Sequence, residues 1–207
     1  MSATATVKVQ YPISPEDQAR ADIYAVLARL FSAAPDAPVL AALGASDLWP
    51  EDPEHPIADA WNRLVLASRA MDAEAAEQEY TDLFIGVGKA ECNLHASYWM
   101  PVALPRPLVG VRQELAELGL ARRDESALYE DHLGALCETM RILIAGADGR
   151  RPADLATQRR FFERWIEPSA FSCCDAINAS PIANYYGRVA EFTGLFLAVE
   201  RDSLAIE

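Results

Sequence analysis

A chain of 207 residues, 51% of them hydrophobic, can bury a large core and is no disordered acidic tail. Its formal net charge of −13, with no Lys/Arg stripe, argues against nucleic acid or anionic membrane as a partner and admits a basic peptide. Four cysteines in a chain of this length make no disulfide scaffold, and no run reaches the roughly 18 apolar residues of a membrane span. The opening segment MSATATVKVQYPISPED has one Lys and no apolar core of the signal-peptide kind, so the expected location is cytoplasmic.

In chain order, Ser14-Pro15-Glu16-Asp17 is a helix start, with Ser14 as cap and Pro15 in the first turn. Ala19, Ile23, Val26, Leu27 and Leu30 form its apolar stripe, and Pro35 ends it. Val39–Leu43 makes a short helix, and Gly44–Pro56 is a polar connection in which Trp49 is a loose aromatic anchor. Ile57, Ala60, Trp61, Leu64 and Val65 define the next helix, and Ala76, Tyr80, Leu83 and Phe84 the one after Met71-Asp72. Gly86 and Gly88 break that pattern and open an aromatic-rich loop carrying Leu94, Tyr98, Trp99 and Met100. Leu108, Val111, Leu115 and Leu118 resume helical spacing up to Gly119.

The longest central stripe is Leu128, His132, Leu133, Leu136, Cys137, Met140, Leu143 and Ile144, followed by a turn at Gly146–Pro152. Asp154 caps a helix with Phe161, Phe162, Trp165 and Ile166. Pro168, Phe171, Cys174 and Ile177 mark a further short one. The last begins near Pro181 and runs through Ile182, Tyr185, Tyr186, Val189, Phe192, Phe196 and Val199. The one alternating run, Val7–Tyr11, lies in a segment expected to fray. The fold class is therefore all-α, with roughly eight to ten helices. The expected organisation is a flexible N-terminus over 1–13, then one helical domain over 14–207 with subregions 14–106 and 107–207.

The motifs do not add up to catalysis. Gly86-Val87-Gly88-Lys89 lacks the spacing, preceding strand and Ser/Thr of a phosphate loop, so nucleotide catalysis is not expected and weak nucleotide binding stays open. Cys92-Asn93-Leu94-His95 supplies two ligands without a second pair, so no metal is expected. Asp131-His132 offers a carboxylate and an imidazole, but neighbouring positions on one helix do not face each other, and Cys137 reads as a buried thiol. Glu130 and Asp131 are candidates to face a groove and accept Arg or Lys donors, with His132 securing a helix junction. Tyr80 and Phe84 read as core. The loop residues Tyr98, Trp99 and Met100 need burial or a partner, and an adaptable pocket beside acidic groups suits a peptide with apolar and arginine side chains.

Taken together, the LARLF helix, Glu79-Tyr80…Leu83-Phe84…Gly86, Asp131-His132-Leu133, Phe161-Phe162…Trp165 and Tyr185-Tyr186…Phe192…Phe196 resemble the TorD/DmsD/NarJ family of redox-enzyme maturation chaperones. The resemblance covers about residues 15–200. It departs at Val87, where Pro is usual, and at Leu128-Tyr129 in place of Glu-Pro, which implies a more helical hinge. It implies a TorD-like bundle that binds the twin-arginine leader, or a related N-terminal segment, of an immature molybdoenzyme catalytic subunit. It further implies assistance to cofactor insertion without a cofactor of its own, prevention of premature export, and a fold that admits a homodimer. By the same resemblance the 86–106 loop lies near the start of the Asp131-His132 helix, and the peptide site comprises Tyr80, Phe84, Tyr98, Trp99, Met100, Glu130, Asp131 and His132. Two other readings stay beside it: a structural assembly adaptor, and a small cofactor-transfer enzyme using His132 with Cys92 or Cys137.

Overall fold

The computed structural model describes residues 11–50, 52–86, 89–101, 106–122, 127–147 and 149–206. The expectation of a flexible start falls largely on residues 1–10, outside the described residues, as do Val87 and Gly88 of the Gly-broken turn. The architecture is all-α. Its elements are α1 (Pro15–Ser32), α2 (Ala37–Gly44), α3 (Ile57–Ala70), α4 (Ala73–Tyr80), α5 (Ala96–Trp99), α6 (Pro107–Glu117), α7 (Leu133–Ala145), α8 (Leu155–Phe161), α9 (Glu167–Ala179) and α10 (Tyr185–Ala205).

The starts are set by side chains that take up the N–H groups a helix leaves unpaired at its first turn. Ser14 accepts from Asp17 N at 3.0 Å and Asp36 from Val39 N at 3.0 Å. Asp72 accepts from Glu74 N at 2.9 Å, and Asp154 from Thr157 N at 2.8 Å. The last helix differs, because its own Asn184 makes no side-chain cap. Instead the Glu79 carboxylate, on α4, accepts from the backbone N–H groups of Asn184 at 2.8 Å, Tyr185 at 3.0 Å and Tyr186 at 2.8 Å.

The most extensive helix contact is α1 on α7, which Gly134 makes possible. A Cβ there would stand 2.4 Å from Ser32 Oγ, 3.0 Å from Ser32 N and 3.1 Å from the Ala28 carbonyl oxygen. Helix α10 packs on α9 and α3, and α2 packs on α3. Arg20 of α1 grips the buried Glu200 of α10 side-on, with Nε–Oε1 2.7 Å and Nη2–Oε2 3.0 Å. Buried Tyr24, Leu27, Phe31, Leu136, Phe161, Phe162, Tyr186 and Phe192 belong to one core cluster. Trp49 stacks on Trp61, with centroids 5.1 Å apart, and is partly buried against that core.

Three local features differ from the pattern reading. Two π turns, Thr81–Ile85 and Phe162–Ile166, extend α4 and join α8 directly to α9. Pro168 thus ends nothing: its missing N–H falls in the first turn of α9, just where the π turn has already shifted the hydrogen-bond ladder. The last helix begins at Tyr185, so Ile182 lies in the preceding turn and is exposed.

Leu128 is also outside α7. The 127–132 segment is not helical, contrary to the more helical hinge expected from Leu128-Tyr129. The helix waits for Leu133 because the His132 ring itself caps it, Nδ1 accepting from Gly134 N at 3.1 Å.

Candidate functional site

The end of α1, the π turn after α4, the loop before α5 and the start of α7 converge on one groove of about 480 Å³. Its lining includes Ala33 and Ala34, Glu77, Tyr80, Phe84 and Ile85, Leu94 and His95, and Leu128 and His132.

Each wall has a local cause. The last carbonyls of α1 lack helical partners and are taken by side chains instead. Tyr80 donates its hydroxyl to the Phe31 carbonyl at 3.0 Å, and Tyr186 donates to that of Leu30 at 2.9 Å. Arg29 donates to the Ala33 and Ala34 carbonyls at 3.1 and 3.2 Å. Phe84 packs edge-on against Tyr80 and Tyr186, with centroids 5.1 and 4.9 Å apart. Gly86 ends the π turn with φ 64°, where any Cβ would run into the Lys89 carbonyl.

The loop and the start of α7 are stitched by backbone: Ala96 N donates to the Asp131 carbonyl at 2.8 Å, and Leu133 N to that of Leu94 at 2.7 Å. The loop of residues 89–101 therefore does lie against the start of the helix that follows Asp131-His132.

The eight expected site residues separate into two groups. Tyr80, Phe84 and His132 line the groove; Tyr98, Trp99, Met100, Glu130 and Asp131 are not among its lining residues. Trp99 is partly buried and donates Nε1–H to the Asn93 carbonyl at 2.8 Å, which pins the loop to itself. Tyr98 is exposed and lies edge-on to Trp99, and Met100 packs on the core. Neither Glu130 nor Asp131 presents a free carboxylate. Glu130 accepts from Arg112 Nε at 2.9 Å and has Arg122 at 4.0 Å. Asp131 is 1% exposed, with Oδ1 3.2 Å from His95 Nδ1 and Oδ2 accepting from Ser97 N at 3.2 Å. Asp131 thus ties the loop to the helix start, and Glu130 ties that start to Arg112 of α6.

The electrostatics follow from that arrangement. Burial raises the Asp131 carboxyl, but hydrogen bonds from His95 and Ser97 outweigh it, and the net shift is downward. Burial, reinforced by the neighbouring His95, lowers His132 to about 4 against the pull of Asp131. A neutral ring is what the geometry requires, because Nδ1 accepts the Gly134 N–H and so carries no proton.

All four cysteines are buried thiols. Burial raises Cys137 and lifts Cys173 to about 12, so neither is a ready nucleophile. Among the described residues no group of three or more His, Cys, Asp or Glu is placed to hold a metal ion, and no helix is long and apolar enough to cross a membrane. The pattern reading missed Glu77, Ile85, His95 and Leu128 as groove residues. Glu77 and Ile85 carried no distinguishing signal, and His95 had been weighed only as a metal ligand beside Cys92.

The described residues thus form an all-helical protein with a groove set among its helix ends. The family model described as "Nitrate reductase delta subunit" matches residues 51–175, 125 of the 207, and the chain belongs to that family, the NarJ/TorD/DmsD chaperones. It is a chaperone of molybdoenzyme maturation. Comparison with curated proteins gives no match.

Proposed function

We propose that this chaperone captures the N-terminal leader of an immature molybdoenzyme catalytic subunit, twin-arginine or a related segment, in the groove between α1, the first π turn and the start of α7. Holding the leader in the cytoplasm delays export until cofactor is inserted. The observation that carries this reading is the groove itself. At about 480 Å³ it falls within the roughly 300–1,000 Å³ of ligand sites. Its lining mixes apolar and aromatic residues with the polar Ser32, Glu77, Thr81, Asn93, His95 and His132, which suits a leader that carries both basic and apolar side chains. Binding is non-covalent throughout. Apolar side chains of the leader lie against Phe84, Ile85 and Leu128, and release follows when the loaded client no longer offers an extended N-terminus.

Ile85 is the residue to test, because it is 61% exposed and its replacement leaves the core intact. Immature catalytic subunit should co-purify with the wild-type chaperone and be lost from Ile85→Asp at equal chaperone abundance. Equal capture by both proteins would remove the groove from the mechanism.

A further inference from the structure

The groove reading leaves open which carboxylate meets the basic residues of the client, since Glu130 and Asp131 are both engaged elsewhere. We infer that Glu77 is that group, and that it sets the preference for arginine in the bound peptide; the inference rests on the groove reading. The residues from Asp72 to Ile85 include Asp72, Glu74, Glu77, Glu79 and Asp82, and no Lys or Arg. Four of these five do not serve. Asp72 caps α4, Glu79 caps α10, and Asp82 accepts from Gln78 Nε2 at 2.9 Å. Glu74 is not among the groove residues. Glu77 is exposed, lines the groove and makes no side-chain hydrogen bond or ion pair among the described residues.

Among the described residues Glu77 is also the one carboxylate in that lining, which it shares with the apolar Phe84 and Ile85. The opposite wall, at Ser32, Ala33 and Ala34, is the C-terminal end of α1, whose dipole favours cations. That end already holds one guanidinium, Arg29, whose charge is offset by Asp36 at 3.5 Å. A peptide arginine between these walls meets a carboxylate matched to its planar donor fork while its neighbours bury apolar surface.

Calorimetric titration with a synthetic leader peptide, paired arginines ahead of an Ala/Leu run, tests this on the full chain. Glu77→Gln should weaken binding roughly fivefold to tenfold. Replacing the peptide arginines by Gln should weaken wild-type binding by a similar factor and add little to the loss in Glu77→Gln. If Glu77→Gln binds like wild type while Ile85→Asp does not bind, the Glu77 assignment is overturned and the groove reading stands. If wild type does not bind the peptide, or Ile85→Asp binds it equally, both fall.

Discussion

Removing the Glu79 carboxylate should loosen the start of α10. In α10, the amides of Asn184, Tyr185 and Tyr186 all donate to Glu79, from a residue more than a hundred positions earlier. A lost side-chain cap costs about 1–2 kcal/mol, and losing a negative charge at a helix N-terminus costs a further ~0.3–1 kcal/mol. Glu79→Ala should therefore destabilise the protein by about 2 kcal/mol. For a chain of this size that is roughly 4–8 °C in Tm. Glu79→Gln keeps one accepting oxygen and loses the charge, so it should fall about midway. Thermal and urea unfolding followed by far-UV circular dichroism give these values, and hydrogen exchange should show lost protection at Tyr185 and Tyr186. If Glu79→Ala stays within about 0.5 kcal/mol of wild type, the cap carries no net stability and the reasoning fails.

Acid should destabilise the fold through His132. Its folded value of about 4 lies below the ordinary 6.5, so its contribution is complete above about pH 6.5 and is lost as pH falls toward 4, up to about 3 kcal/mol. Asp131, also lowered, adds a loss of the same sign as pH falls through the carboxylate range. Urea midpoints from pH 7.5 to 4.5 should show the slope, and His132→Gln should flatten it. Gly134→Ala should cost about 1–3 kcal/mol through its clash with Ser32 and Ala28, in spite of the better helix propensity of Ala. Ser32→Ala should recover part of that loss, since it removes the nearest atom, and the urea midpoints of the single and double variants measure it.

The helices were legible because their causes are local. Ser14, Asp72 and Asp154 cap within three residues, and the apolar stripes of α1, α3 and α7 repeat at three and four positions. The π turns were not, because a single wider turn shifts the stripe by only one residue and leaves Phe161, Phe162, Trp165 and Ile166 reading as an ordinary helix. The internal partners of Asp131 and Glu130 were not legible for a different reason. Their partners His95, Ser97 and Arg112 lie 18 to 36 positions away, and no periodicity reports that such a carboxylate is already satisfied. Tyr80, Phe84 and His132 fell within the groove, and the family resemblance pointed to them more than composition did.

Several of the residues that carry the resemblance finish helix ends. Tyr80 and Tyr186 satisfy the last carbonyls of α1, Glu79 satisfies the first amides of α10, and His132 satisfies the start of α7. A helix end buried without such partners is costly, so these three ends need polar groups at fixed places. This demand does not fall on every residue of the groove. Ile85 and Glu77 line the groove, are exposed and close no helix end, so their side chains can change with little effect on the fold. A framework of this kind permits one architecture to serve clients whose leaders differ. The capping groups keep the three helices in register, and on the proposed function the groove residues would decide which peptide is held.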